Sequence, residues 1–118
     1  MARLRSTVLI RNAILANDFL NNILDVETLE TVVEAMEPLN FEENSIILSE
    51  GNSGSHFYVS AEGKYQVLKQ DAVIKSFGPG VVFGELAILY KAKRFASIKG
   101  VLEFFVECLK INTKCNNF

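Results

Sequence analysis

Gly78-Pro79-Gly80-Val81-Val82-Phe83-Gly84-Glu85-Leu86-Ala87-Ile88-Leu89-Tyr90, continued by Lys91-Ala92-Lys93-Arg94, is where this 118-residue sequence departs from its surroundings. It runs from a Gly/Pro turn through a short strand into a short helix. Gly84 stands at the junction, where the absence of a side chain lets a ligand approach the backbone. The first amides of the helix, at Glu85, Leu86 and Ala87, have no intrahelical acceptor and attract an anion. Arg94 reaches the same point if the following strand folds back, and its planar fork suits phosphate oxygens. Glu85 is out of place beside a phosphate unless it accepts from something else, and a sugar hydroxyl is a natural donor. Amides, an arginine and a glutamate together suggest a nucleotide whose sugar and phosphate lie close together. Each feature alone is ordinary structure. No Gly-Lys-Ser/Thr follows, so this is not a triphosphate loop, and no Gly-x-Gly-x-x-Gly in a βαβ unit marks a dinucleotide site.

On both sides of this stretch the pattern is that of a small β-domain. Apolar runs at Ser45–Ser49, His56–Ser60, Tyr65–Leu68, Ala72–Phe77, Phe95–Ile98 and Leu102–Leu109 are separated by turn residues, which predicts short strands in a sandwich or barrel. Ala61-Glu62-Gly63-Lys64 and Gln70-Asp71 read as hairpin turns. Ahead of Pro38 the period is helical. Val8, Leu9, Ala13, Ile14 and Leu15 mark one helix over Thr7–Ala16, and Asn17-Asp18 marks a break or cap. Asp25 caps a further helix with Leu29, Val32, Val33 and Met36 on its buried face, ended by Pro38. The expected division is a helical segment over residues 1–37, a β-barrel over 38–111 and a tail over 112–118.

Composition bounds the function. Half the chain (49%) is apolar or aromatic, as in a globular domain, and the net charge of −2 disfavours nucleic-acid binding. Residues 1–60 carry −6 and residues 61–118 carry +4, so an anion is better received by the second half. No apolar run approaches the roughly 20 residues of a membrane span, and no signal peptide is legible, which points to the cytosol and away from a membrane. Cys108, Cys115 and the single His56 form neither a disulfide framework nor a zinc site. Arg3-Leu4-Arg5-Ser6-Thr7 has the spacing favoured by basophilic kinases, on what reads as a tail. With no metal cluster and no base beside a nucleophile, an enzyme is not expected.

Phe83–Tyr90 with Arg94 resembles the phosphate-binding cassette of cyclic nucleotide-binding domains, and its wording is most similar to the first nucleotide domain of cyclic GMP-dependent protein kinases. Ala13–Leu20, Glu50–Ser55, Tyr58-Val59 and Glu62–Lys64 extend the resemblance over roughly residues 8–100. It implies an eight-stranded jelly-roll-like barrel, mainly β, with helices outside. It also implies that Glu85 accepts from the ribose 2′-hydroxyl and that Gly84, Leu86 and Ala87 surround the phosphate. Arg94 would pair with the cyclic phosphate, and the amides of Phe95 and Ala96 would complete the cradle. Phe95 stands where those kinases usually have Thr, whose hydroxyl helps choose guanine, so the resemblance favours cyclic GMP over cyclic AMP without that contact. After Gly100 the sequence diverges, and the helices that cap the base in the family have no counterpart. The expectation is a non-catalytic nucleotide-binding regulatory module that needs no cofactor, with a protein kinase as a partner. The alternative is a ligand-free interaction protein that keeps the fold.

Overall fold

A computed structural model of the chain describes residues 7–101 and 104–110. Three helices come first: α1 (Thr7–Leu15), α2 (Asp18–Ile23) and α3 (Val26–Ala35). Asn17 caps α2 by accepting from the amides of Phe19 and Leu20, and Asp25 caps α3 by accepting from that of Thr28. Leu29, Val32, Val33 and Met36 are all buried, as their spacing requires. In α1 the buried face is Ile10, Ala13 and Ile14, whereas Val8 and Leu15, expected on it, are exposed. Packing against α3 selects one stripe of a helix whose apolar residues extend beyond a single face. A two-pronged ion pair, Arg11 Nε and Nη2 to the Glu30 carboxylate at 2.8 Å each, ties α1 to α3.

Eight strands follow: β1 (Glu37–Phe41), β2 (Ile46–Leu48), β3 (His56–Glu62), β4 (Tyr65–Lys69), β5 (Ala72–Phe77), β6 (Val82–Phe83), β7 (Ser97–Gly100) and β8 (Phe104–Lys110), with α4 (Glu85–Leu89) between β6 and β7. They form two four-stranded antiparallel sheets, ordered β1-β8-β3-β6 and β2-β7-β4-β5. The architecture is the mainly β, jelly-roll-like one with flanking helices that the sequence implies. β1 was not expected, because Pro38 reads as a helix terminator. Among the described strands it lies at a sheet edge and pairs only with β8, so its missing amide breaks no inner ladder.

Two expectations are corrected. Ala61–Lys64 is not a hairpin turn: β3 pairs with β6 and β8, β4 with β5 and β7, so these residues cross between the sheets. The Tyr65 hydroxyl pins the crossing, seated between the Glu62 carbonyl and that of Phe105, 2.8 Å away. Gln70-Asp71 is a true hairpin turn, with both residues at positive φ (51° and 67°). The strand expected over Phe95–Ile98 begins only at Ser97. Arg94 is engaged instead in backbone bonds with the turn at Gly51-Asn52, and this holds Phe95 and Ala96 outside the ladder. Leu102, the tail over 112–118, Cys115 and Ser6 lie outside the described residues.

The core has two parts. On β3, Phe57 and Val59 face the helices and join Ile10, Ile14, Leu20, Val33 and Met36. Tyr58, between them, faces the interior with Leu48, Tyr65, Phe83, Ile98 and Val106, as the alternation of a strand dictates. β6 divides likewise, Val82 to the helices and Phe83 to the interior, where its ring stacks on Tyr58 at 5.3 Å. Thus β3 and β6 are walls shared by both halves of the core, and α4 leaves directly from that wall.

Candidate functional site

Gly84 adopts the left-handed conformation (φ 86°, ψ −4°) that ends β6 and starts α4, and any other residue there would be strained. Arg94 lies across the turn. Its Nη1 donates to the Gly84 carbonyl and its Nη2 to the His56 carbonyl at 2.9 Å. Its backbone is fixed by Arg94 N to Asn52 O at 2.6 Å and Gly51 N to Arg94 O at 2.8 Å. The side chain is buried, 8% exposed. Burial lowers the guanidinium's proton affinity, and Tyr58 and Glu85 push it back up. The charge is kept, because arginine stays protonated in proteins. Gly54 makes the seat: a Cβ there would stand 2.5 Å from Arg94 Cζ and 2.6 Å from Nη2.

Glu85, the first residue of α4, is equally buried, at 8%. Its Oε2 accepts from Asn17 Nδ2 at 2.6 Å. Asn17 thus works at both ends of its amide, its oxygen capping α2 and its nitrogen holding Glu85. At the other end of α4, the ring of Tyr90 meets that of Phe19 edge to face at 5.7 Å. Helix α2 therefore touches α4 at both ends.

A cleft of about 260 Å³ opens between α4, the 94–96 segment and the second sheet. Gly84, Glu85, Leu86, Ala87, Arg94, Phe95 and Ala96, the seven residues singled out in the sequence, all line it. Its apolar floor is Leu48, Val67, Phe83 and Ile98. Phe95 stands at the rim, 69% exposed. Lys69 Nζ lies 4.7 Å from the centre of its ring and donates to its carbonyl at 2.8 Å. The cleft combines an arginine fork, a carboxylate and an apolar floor, the donor, acceptor and surface that a phosphorylated sugar bearing a flat base requires.

Residues 38–115 match the family described as cyclic nucleotide-binding domain. The chain belongs to that family. Among curated relatives of this domain, cGMP-dependent protein kinase, isozyme 1, of Drosophila melanogaster is 42% identical over 94 residues, covering 80% of this chain and 12% of the kinase. Human cGMP-dependent protein kinase 2 is 38% identical over 93 residues, covering 79% and 12%. Among solved structures, cAMP-bound PfPKA-R superposes with a TM-score of 0.81 at 27% identity, over 93% of this chain and 40% of that one. The chain thus spans about an eighth of the length of the curated kinases it matches, and the cyclic nucleotide-binding domain is what it shares with them.

Three contributors escaped the sequence reading. Asn17 reads as a cap and nothing more, because its amide nitrogen meets Glu85 across 68 positions of chain. Gly54 reads as one turn residue among several, and Lys69 as part of the turn Lys69-Gln70-Asp71. A second cavity, about 350 Å³, lies among Ala35, Glu37, Leu39, His56, Cys108 and Leu109. There burial, with Glu37 adding to it, pushes the Cys108 thiol up to about 11, so it is an unreactive neutral thiol at pH 7. Among the described residues, no three His, Cys, Asp or Glu side chains are grouped to hold a metal, and no helix is long and apolar enough to cross a membrane.

Proposed function

We propose that this chain is a cyclic nucleotide-binding regulatory module, non-catalytic in itself, that takes a cyclic purine nucleotide, cyclic GMP or cyclic AMP, into the cleft beside α4. The observation that carries the reading is the pair Arg94 and Glu85, both 8% exposed and both on one cleft. In this reading Arg94 exchanges a carbonyl partner for the cyclic phosphate. The α4 amides and those of Phe95 and Ala96 complete the phosphate cradle, and Glu85 accepts from the ribose 2′-hydroxyl. The names of the relatives support both nucleotides: cGMP-dependent kinases by sequence, a cAMP-bound regulatory chain by fold. They also support a protein kinase as the regulated partner, and with it a cytosolic setting.

Calorimetric titration with cyclic GMP, cyclic AMP and 5′-GMP tests the reading. Binding of a cyclic nucleotide, no binding of 5′-GMP, and at least a roughly tenfold loss in Arg94→Ala are expected, since an arginine–phosphate contact contributes about 1.5–3 kcal/mol. A folded protein that binds no cyclic nucleotide overturns it. That result would favour a second reading, a ligand-free interaction protein, for which the motivating observation is that Arg94 and Glu85 already have protein partners.

A further inference from the structure

We infer that Phe95, braced by Lys69, is a stacking platform for the nucleobase, and that this site therefore binds cyclic purine nucleotides with little regard to the base. The inference rests on the cyclic-nucleotide reading and adds how the base is met. Phe95 is an apolar ring left 69% exposed on the rim of the cleft, yet its position is fixed by its neighbours. Its backbone follows Arg94, which is bonded to the Gly51-Asn52 turn. Its carbonyl accepts from Lys69 Nζ at 2.8 Å, and the same ammonium lies 4.7 Å from the ring centre. Lys69 is itself anchored by the Glu50 carboxylate at 3.0 Å, and Glu50 by the Gln70 amide at 3.0 Å. The cation is thus neutralised at the rim and serves to hold the ring.

A ligand with its phosphate on Arg94 and its 2′-hydroxyl on Glu85 carries its base on the adjacent sugar carbon, and Phe95 is the exposed aromatic ring on the rim of the same cleft. A flat heteroaromatic base is the group that covers such a ring, and every purine offers the same π-face. Phe95 brings no side-chain donor or acceptor that could tell an amino group from a carbonyl. Recognition at this position is by area and not by hydrogen bonding.

The test is calorimetry on the full chain with cyclic GMP, cyclic AMP and a base-free probe, the 3′,5′-cyclic phosphate of methyl riboside. The wild-type protein is expected to bind the two nucleotides within about threefold of each other. Phe95→Ala should weaken both in parallel by roughly 5- to 150-fold, the range of base–aromatic stacking, and weaken the base-free probe by clearly less because the backbone amide is kept, whereas an equal loss for the probe overturns the inference. Lys69→Met, which keeps the stem and removes the charge, should shift both the same way by less. A preference above threefold in the wild type, or a Phe95→Ala change below fivefold or toward tighter binding, overturns the inference and leaves the nucleotide reading standing. Failure of the wild-type chain to bind either nucleotide overturns both.

Discussion

Asn17 offers the sharpest perturbation, because one side chain performs two separable tasks. Its oxygen caps α2, at 3.1 and 2.9 Å from the amides of Phe19 and Leu20. Its nitrogen holds the buried Glu85 carboxylate at 2.6 Å. Losing a cap costs about 1 kcal/mol. Losing a hydrogen bond to a charged group costs about 1.5–3 kcal/mol. Asn17→Ala should therefore destabilise the fold by roughly 2.5–4 kcal/mol, which at about 4 °C per kcal/mol for a domain of this size lowers Tm by roughly 10–15 °C. Asn17→Ser keeps a capping oxygen and should lose only the Glu85 share. Asn17→Asp also keeps the cap but sets two carboxylates face to face, and should be the least stable of the three at pH 7. Urea unfolding of Asn17→Ser, Glu85→Ala and the double variant isolates the contact, with a coupling of at least about 1 kcal/mol expected. Coupling below about 0.3 kcal/mol would refute the argument that α2 and the start of α4 are joined through this amide.

Gly54→Ala is expected to displace the Arg94 guanidinium, since the added carbon would lie 2.5–2.9 Å from Cζ, Nη2 and Nε. It should cost about 1–3 kcal/mol of stability and weaken cyclic-nucleotide binding. Gly78→Ala, with open space around it and no positive φ, should leave both unchanged in the same melting and titration measurements. The buried Cys108 thiol, raised to about 11, should be nearly inert to Ellman's reagent in the folded protein, measured in a Cys115→Ser background. An acid whose folded value is raised stabilises below its unfolded value, near 8.5, and loses that contribution as pH climbs toward 11. Urea midpoints should therefore fall over that interval in the wild type, and less so in Cys108→Ala.

Much of this was legible because local chemistry and tertiary structure agree. The stripe Leu29-Val32-Val33-Met36, the Asp25 cap and the positive-φ hairpin at Gln70-Asp71 are each specified by neighbours in sequence. The cleft was legible for a similar reason: Gly84 and Glu85 adjoin, and Arg94 is ten positions on, so one turn and one short helix suffice to assemble them. What stayed hidden depends on partners far along the chain. The β3–β4 connection looks like a hairpin until β8 and β6 take the edges of β3. Pro38 looks like the end of a helix until β8 offers it an edge position. Asn17, Gly54 and Lys69 acquire their roles only when Glu85, Arg94 and Phe95 arrive beside them.

The order of strands has a consequence for how the molecule comes to be made. β8 lies between β1 and β3, so β1 is not joined to the rest of the first sheet until the last described strand exists. As the chain leaves the ribosome, the helices and the β4–β5 hairpin have their partners at hand, but β1 has no strand to pair with, and β3 only the two-residue β6, until Phe104–Lys110 emerges. Pairing at such long range is slow, because the intervening loop must close before any contact rewards it. Folding should therefore be delayed until β8 has emerged, and a nascent chain stopped before β8 should bind chaperones and resist no protease, even though every residue lining the cleft beside α4 has already been synthesised.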